Sequence, residues 1–206
     1  MQMNQQVTFF TDGGEDVRDL PAYLNPQAEQ YLDWFHITMR ITVMHQLAKG
    51  LCSRDNPIVA KEVLEELERL KWFLWHGNVF RALRTVEDLE LDLDIDDAGA
   101  EQRKLLKVVT EFGGYIRAHG GWITNCGERY RNGDTISSAF AESTVNQVVS
   151  KRMVKKQQMR WAPKGAHLLL QVRTKVLNDD LADAFQRWYP SFVAPTAASQ
   201  RREVAA

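Results

Sequence analysis

The first 56 residues combine two kinds of apolar spacing. Residues 7–10 are β-branched or aromatic and run into the turn-forming residues 11–14, which predicts a strand that ends at a turn. A short helix is expected over residues 15–24 and a second strand over residues 31–36. Apolar residues then recur three and four positions apart over residues 37–51, which predicts an amphipathic helix.

Residues 57–118 carry helical spacing almost throughout. Three apolar faces follow one another, and Gly77 with Asn78 marks the end of one helix and the start of the next. The acidic run over residues 87–97 is expected to join the second of these helices to the third. Because helices with short connections pack side by side, we expect an all-helical bundle in this part of the chain.

The last third of the chain is also expected to be helical. One helix is predicted over residues 137–159. A second begins at Pro163, because proline suits the first turn of a helix, and a third covers residues 179–188. After Pro190 the sequence turns to Ala, Ser, Pro and Thr. We expect residues 191–206 to form a disordered tail.

Composition narrows the class of protein. The 206 residues are 44% hydrophobic and 26% charged, as in an ordinary globular domain. No run of about 18 apolar residues predicts a transmembrane helix, and no signal-peptide pattern opens the chain. We therefore expect a cytoplasmic protein that has no membrane partner. Cys52 and Cys126 lie far apart in the sequence, which favours free thiols in a reducing compartment.

The charge is unevenly distributed along the chain. The net charge is −1, yet no acidic residue lies between Glu142 and Asp179. That stretch holds eight of the 26 basic residues, which leaves 18 elsewhere against all 27 acidic residues. Such a basic block either binds a polyanion or is a solvated helix face, and the charge pattern alone leaves both open. The eight residues are Lys151, Arg152, Lys155, Lys156, Arg160, Lys164, Arg173 and Lys175.

Three other patterns are weaker. The acidic residues 92–96 are not followed by the glycine and glutamate that a calcium loop needs at its sixth and twelfth positions. The five histidines and two cysteines have no zinc-ligand spacing. Trp72 and Trp75 lie one helical turn apart, where they either pack in the core or stack on nucleic-acid bases. Core packing is the favoured interpretation.

Glu142 introduces the most informative segment. It lies near the start of a predicted helix, and Asn146 follows one turn later on the same face. The basic pair Lys151 and Arg152 comes next along that helix. A glutamate in a first turn either stabilises the helix dipole or serves as a metal ligand beside charges that bind DNA phosphates. Spacing alone favours the dipole.

Two parts of the chain resemble ISKra-type insertion-sequence transposases. Residues 138–188 are similar to the C-terminal end of these enzymes, and the strings FTDGG at 10–14 and LDWFH at 32–36 fit the same family. The resemblance covers residues 7–190, and its most specific part surrounds Glu142. The C-terminal strings that carry it are AFAESTVN at 139–146, VSKRMVKKQQMRW at 149–161, GAHLLLQ at 165–171 and RWYP at 187–190.

The resemblance implies a ribonuclease-H-like catalytic domain of the Mutator-like branch, with an Asp-Asp-Glu triad. Asp12 takes the position of the second Asp, at the end of a strand, and Glu142 takes that of the Glu, on a late helix. Asp33 and His36 match the Asp-x-x-His signature that lies between them. In such enzymes two Mg²⁺ ions held by the carboxylates serve DNA strand cleavage and joining.

The expected fold class is therefore α/β and mostly helical, a partial ribonuclease-H-like domain with an all-α insertion. Residues 7–56 would be the second part of the catalytic core, residues 57–130 the insertion, and residues 131–190 the catalytic helix and the basic helices. The complete enzyme would act on DNA as a homo-oligomer. The residues expected to bind DNA phosphates are Lys151, Arg152, Lys155, Lys156 and Arg160.

The family places its first triad Asp on an earlier strand, before the point where this chain begins. The chain would then hold two of the three carboxylates, and we expect it to bind metal poorly and to leave DNA uncut by itself. Asp33 and His36 would either position the scissile DNA or brace the site. Two functions remain open: a catalytically incomplete transposase, and a non-catalytic DNA-binding or regulatory fragment of one.

Overall fold

The computed structural model describes residues 7–14, 19–52, 57–96, 98–150, 153 and 160–192. The chain divides into two compact units, one ending at Ala139 and the other beginning at Phe140. Its described part is mostly helical with one pair of parallel strands, which confirms the predicted α/β, mostly helical class. Among the described residues, no helix combines the length and the apolar content needed to cross a membrane.

The two strands lie near the start of the first unit. β1 (Thr8–Thr11) pairs in parallel with β2 (Glu29–Leu32), in a register that sets Thr11 against Leu32. α1 (Leu20–Leu24) lies on the connection between them. The strand predicted from the β-branched and aromatic residues at 7–10 is therefore confirmed, one residue further along the chain.

The strand predicted over residues 31–36 is wrong in its bounds. β2 ends at Leu32, and α2 (Trp34–Cys52) begins two residues later. The aromatic residues at 34 and 35 suit a strand by propensity. However, the Asp33 side chain accepts a hydrogen bond from the amide of Phe35 (2.9 Å) and so caps the first turn of a helix. The helix predicted over residues 37–51 exists, and it starts three residues earlier.

Four helices form the core of the first unit. α2 is followed by α3 (Pro57–Trp75), α4 (Val79–Leu93) and α5 (Ala100–His119). α2 and α4 each pack against α3 and α5, so four apolar faces close around one core. Residues on both sides of the expected boundary at 56 thus share that core. The largest fully buried side chains are Leu32, Ile37, Ile41, Met44, Leu67, Leu70, Leu74, Leu89, Leu93, Leu105, Phe112 and Ile116.

The turn signals between the helices place their ends correctly. Gly77 has a φ of +69°, a left-handed conformation that favours glycine. The Asn78 side chain accepts a hydrogen bond from the amide of Arg81 (3.1 Å) and caps α4. α4 continues to Leu93, so the acidic run over residues 87–97 is partly helical and only its last residues belong to the connection.

The rest of the chain is built from shorter helices. A 3₁₀ turn (Gly120–Trp122) and α6 (Cys126–Arg131) follow α5 in the first unit. α7 (Ala139–Val145) continues as a π-helical turn (Asn146–Ser150). The helix predicted over residues 137–159 begins two residues later than predicted and is helical from residue 139 to residue 150. Residues 151, 152 and 154–159 lie outside the described residues.

The second unit ends with two further helices. α8 (Pro163–Leu177) begins at the proline that predicted it, and α9 (Leu181–Trp188) covers most of the helix predicted over residues 179–188. None of the described residues from Phe140 onward is buried. The expected tail lies mostly in residues 193–206, outside the described residues.

Candidate functional site

The two strands end side by side at two aspartates. Asp12 directly follows β1, and Asp33 directly follows β2. The amide of Asp33 donates a hydrogen bond to the carbonyl oxygen of Thr11 (2.9 Å), which continues the parallel ladder by one residue. Open α/β sheets commonly place their chemistry at this carboxyl edge of parallel strands.

Asp12 lies in an exposed turn that glycine makes possible. Its Oδ1 accepts a hydrogen bond from the amide of Gly14 (2.9 Å). Gly13 has a φ of +83°, and a Cβ at that position would lie 2.9 Å from Nε2 of His119. Backbone conformation and close packing therefore both require glycine after Asp12. The carboxylate remains accessible to solvent.

α5 contacts this turn through the side chain of Tyr115. The Tyr115 hydroxyl donates a hydrogen bond to the carbonyl oxygen of Asp12 (3.0 Å). The Arg40 guanidinium lies 4.1 Å from the centre of the Tyr115 ring. Burial raises the pKa of Tyr115, the Arg40 charge opposes the rise and the Asp12 charge adds to it, with a net pKa of about 12. The hydroxyl therefore stays protonated and keeps donating.

Asp33 is a different kind of carboxylate, because it is buried and fully hydrogen-bonded. Its side chain is 2% exposed. Besides the amide of Phe35, Oδ1 accepts a hydrogen bond from the amide of Ser138 (3.1 Å), and Oδ2 accepts a short one from the Ser138 hydroxyl. The amide of Trp34 also bonds the carbonyl oxygen of Ile136 (3.4 Å). Asp33 thus ties the end of β2 to the segment 136–138.

His36 lies one helical turn after Asp33 and is partly exposed. Its Nε2 is 3.8 Å from Oδ2 of Asp33, which is too long for a hydrogen bond but close enough for an ion pair when the imidazole is protonated. Its ring also packs edge-on against Phe35, with 5.4 Å between the ring centres. The two residues of the Asp-x-x-His signature are therefore neighbours in the structure.

The other predicted site residues belong to the second unit. Glu142 is exposed and lies in the first turn of α7. Arg160 is exposed and precedes α8. Lys151, Arg152, Lys155 and Lys156 lie outside the described residues, so the predicted DNA-binding helix stays a prediction at those positions.

The described residues do not fit a complete metal site. Among them, no group of three or more His, Cys, Asp or Glu side chains is arranged to hold a metal ion. At the strand edge, Asp12 offers one exposed carboxylate. The oxygens of Asp33 are already engaged by Ser138 and Phe35. Among the described residues at this edge, a cation would therefore have a single available carboxylate.

Two supporting residues were not predicted from the sequence. Ser138 is one of two adjacent serines before α7, and Tyr115 is one aromatic residue among several on an amphipathic helix. Both act across more than 100 residues of sequence, on Asp33 and Asp12 respectively. A local signal did exist for Asp33, because aspartate before a helix is a favoured cap.

No protein-family model, curated protein or solved structure shows significant similarity to this chain.

Proposed function

We propose that this chain is part of a DNA transposase of the ISKra type, built on a ribonuclease-H-like catalytic core. The observation that carries the proposal is the exposed Asp12 carboxylate at the carboxyl end of a parallel strand. It lies beside an Asp-x-x-His pair in which Asp33 and His36 are in contact. These positions match the family pattern that also includes Glu142.

The proposal assigns different roles to the two strand-end aspartates. Asp12 and Glu142 are the catalytic carboxylates. Asp33 is a positioning residue, because its oxygens accept hydrogen bonds from Phe35 and Ser138 and have no room for a substrate. Ser138 precedes Glu142 by four residues in the sequence. Asp33 therefore fixes the chain shortly before the helix that carries the second catalytic carboxylate.

Magnesium is the cofactor that the proposed function requires. Oxygen ligands, carboxylates above all, are those that Mg²⁺ prefers. Asp12 and Glu142 would supply two of them, and the family pattern includes one further Asp. A complete site thus needs a carboxylate in addition to the two named here.

DNA is the proposed substrate and partner, and a homo-oligomer associated with the bacterial nucleoid is the proposed working form. The support is the absence of acidic residues between Glu142 and Asp179, where eight basic residues lie. Positive charges of this density bind phosphates largely without regard to sequence. Lys151, Arg152 and Arg160 are among the residues proposed to make these contacts.

A non-catalytic DNA-binding or regulatory role is the second candidate. The observation that favours it is the absence of a three-ligand metal group among the described residues. A chain that binds element ends without cutting them would compete with a complete transposase for the same DNA.

DNA binding tests what both candidates share. Fluorescence anisotropy of a labelled duplex should show an affinity that falls steeply as salt rises. Replacing Lys151 and Arg152 together by alanine should lower the slope of log affinity against log salt by about two, since each phosphate contact contributes about one. The matched control replaces Lys104 and Lys107 on α5. Absence of duplex binding at low salt, or equal slopes in both variants, would overturn the proposal.

Strand cleavage and joining test the catalytic part of the proposal. Because a complete site needs a further carboxylate, we expect this chain alone to leave an oligonucleotide uncut. Metal-dependent processing that is lost in both Asp12→Asn and Glu142→Gln would overturn that expectation and show an enzyme that is active by itself. Both side chains are exposed, so neither change should disturb folding. Tight, cooperative duplex binding without any processing, in Mg²⁺ or in Mn²⁺, would favour the non-catalytic role.

A further inference from the structure

A cavity of about 540 Å³ opens beside the start of α2 and the last two turns of α3. Its volume is within the range of ligand-binding pockets, about 300–1,000 Å³. Three of the six residues that line it are tryptophans, and the other three are charged. The residues that line it are Trp34, Glu68, Arg69, Lys71, Trp72 and Trp75. We call it the tryptophan pocket.

Two of the indoles form a fixed wall. The rings of Trp34 and Trp75 pack edge to face, with 5.0 Å between their centres. The Trp75 indole packs closely against Gly127, because a Cβ at that position would lie 2.6 Å from Nε1 of the indole. Trp34 follows Asp33 directly, so this wall is anchored to the same hydrogen-bonded strand end as the Asp-x-x-His pair.

The third indole is open to solvent. Trp72 is 58% exposed, although tryptophan is normally well buried. One part of it contacts the His76 ring, with 4.4 Å between the centres. Core packing accounts for Trp34 and Trp75, but it does not account for Trp72. An exposed indole beside an aromatic cavity is a surface on which a flat ring can stack.

The charged residues that line the pocket favour an anionic ligand. Glu68 faces His45, with 3.1 Å between Oε1 and Nε2, although their geometry is not that of a hydrogen bond. Arg69 is paired with Glu66. Lys71 is half-buried, and it forms no ion pair in the part of the chain that the structure describes. Its ammonium group is the cation available to a ligand.

We propose that the tryptophan pocket binds an unpaired base of single-stranded DNA. The base stacks on the indole of Trp72, and Lys71 contacts the adjacent phosphate. A base inside a duplex has both faces covered by its neighbours, so only an unpaired base offers its face. Stacking on an aromatic ring is tolerant of base identity. The choice of a nucleobase over another flat anionic ligand rests on the proposed DNA function.

The test compares single-stranded and double-stranded oligonucleotides on the full chain. Trp72→Ala should weaken binding of a short single-stranded oligonucleotide about ten-fold, as for other stacking aromatics, and should leave duplex affinity unchanged. Trp72→Phe should restore most of the affinity, because it keeps an aromatic face. The control is Phe80→Ala on α4, another exposed aromatic residue outside the pocket. Equal losses in Trp72→Ala and Phe80→Ala would overturn the proposal.

A second measurement makes the result independent of the basic block. Adenosine 5′-monophosphate should quench the indole fluorescence saturably, and Lys71→Gln should weaken this several-fold. Because Lys71 lines the pocket, a weaker quenching in Lys71→Gln reports on the pocket even if duplex binding fails. No saturable quenching, together with single-strand affinity that Trp72→Ala leaves unchanged, would exclude the site while leaving the duplex result to decide the proposed function.

Discussion

The two units of the chain have similar apolar periodicity and different cores. In the first unit, α2 to α5 bury a continuous cluster, and Leu70 on α3 is 0% exposed. In the second unit, α8 carries an equally regular apolar spacing, yet Val172 at its middle is 51% exposed. Periodicity therefore predicts that a helix forms, but it does not predict what covers its apolar face.

The difference follows from the length of the elements against which each helix packs: 15 to 20 residues in the bundle, but only eight and five beside α8. Each helix of the bundle packs against two others, so its apolar stripe is covered on both sides. α8 contacts α9 and the π-helical turn after α7. Hydrogen bonds also fix α8 to that turn: Arg173 donates to the carbonyl oxygens of Val148 and Gln147, both at 2.8 Å. Truncating an apolar side chain should therefore lower the free energy of unfolding clearly in the first unit and hardly in the second.

The largest effect is expected from Leu70→Ala. The change removes a fully buried side chain from the centre of the bundle and leaves a cavity, which should cost about 3 kcal/mol of unfolding free energy. Val172→Ala on α8 is the matched change and should alter it by less than about 0.5 kcal/mol. Urea denaturation followed by circular dichroism measures both. Equal costs would mean that α8 has a core of its own.

Asp33→Ala should have the next largest effect. It leaves the half-buried Ser138 hydroxyl and amide and the Phe35 amide without their acceptor, a loss of about 2 kcal/mol. Asp12→Ala removes an exposed carboxylate with one local hydrogen bond and should cost about 0.5 kcal/mol or less. The same denaturation experiment compares the two strand ends.

Ser138→Ala completes this comparison. If Asp33 and Ser138 act as one unit, the double variant should cost clearly less than the sum of the single variants. Additive costs would show that Asp33 stabilises the strand end without Ser138. That result would remove the proposed link between the Asp-x-x-His signature and the segment before Glu142.

The contrast between the units also separates what the sequence predicts from what it does not. Helices α3 to α5 were predictable because their apolar faces are regular and Gly77-Asn78 punctuates them. The start of α2 was not, because aromatic residues outweighed the capping signal of Asp33. Asp12 was predictable as a strand-end carboxylate. The Asp33–Ser138 contact was not, since it joins residues 105 positions apart and no local pattern encodes such a pair.

Gly113 tests whether the core of the bundle can accommodate an added methyl group, and two other helical glycines serve as controls. A Cβ at Gly113 on α5 would lie 2.8 Å from Cγ1 of the buried Val86, so Gly113→Ala should cost about 1 kcal/mol despite the better helix propensity of alanine. Gly114 and Gly165 have nothing within 4 Å of that position. Alanine at either should stabilise its helix by about 0.5–1 kcal/mol. Thermal denaturation of the three variants checks this. A stabilising Gly113→Ala would mean that α5 and its neighbours shift to make room for the added methyl group.

The smallest effect expected is a fall in unfolding free energy that begins only at alkaline pH. Burial raises the pKa of the Cys126 thiol to about 11 and that of Tyr115 to about 12, and both residues belong to the first unit. The folded state then holds protons that the unfolded chain has released, so unfolding free energy falls as pH rises. The fall should begin above the ordinary thiol pKa, about 8.5, and continue to about pH 12. Urea midpoints at a series of pH values measure it. Cys126→Ala should flatten the curve between about pH 9 and 11 and leave the fall at higher pH, which comes from Tyr115. A general loss of packing would instead shift every midpoint equally. An unchanged slope in that variant would mean that the thiol is not the group whose deprotonation weakens the first unit.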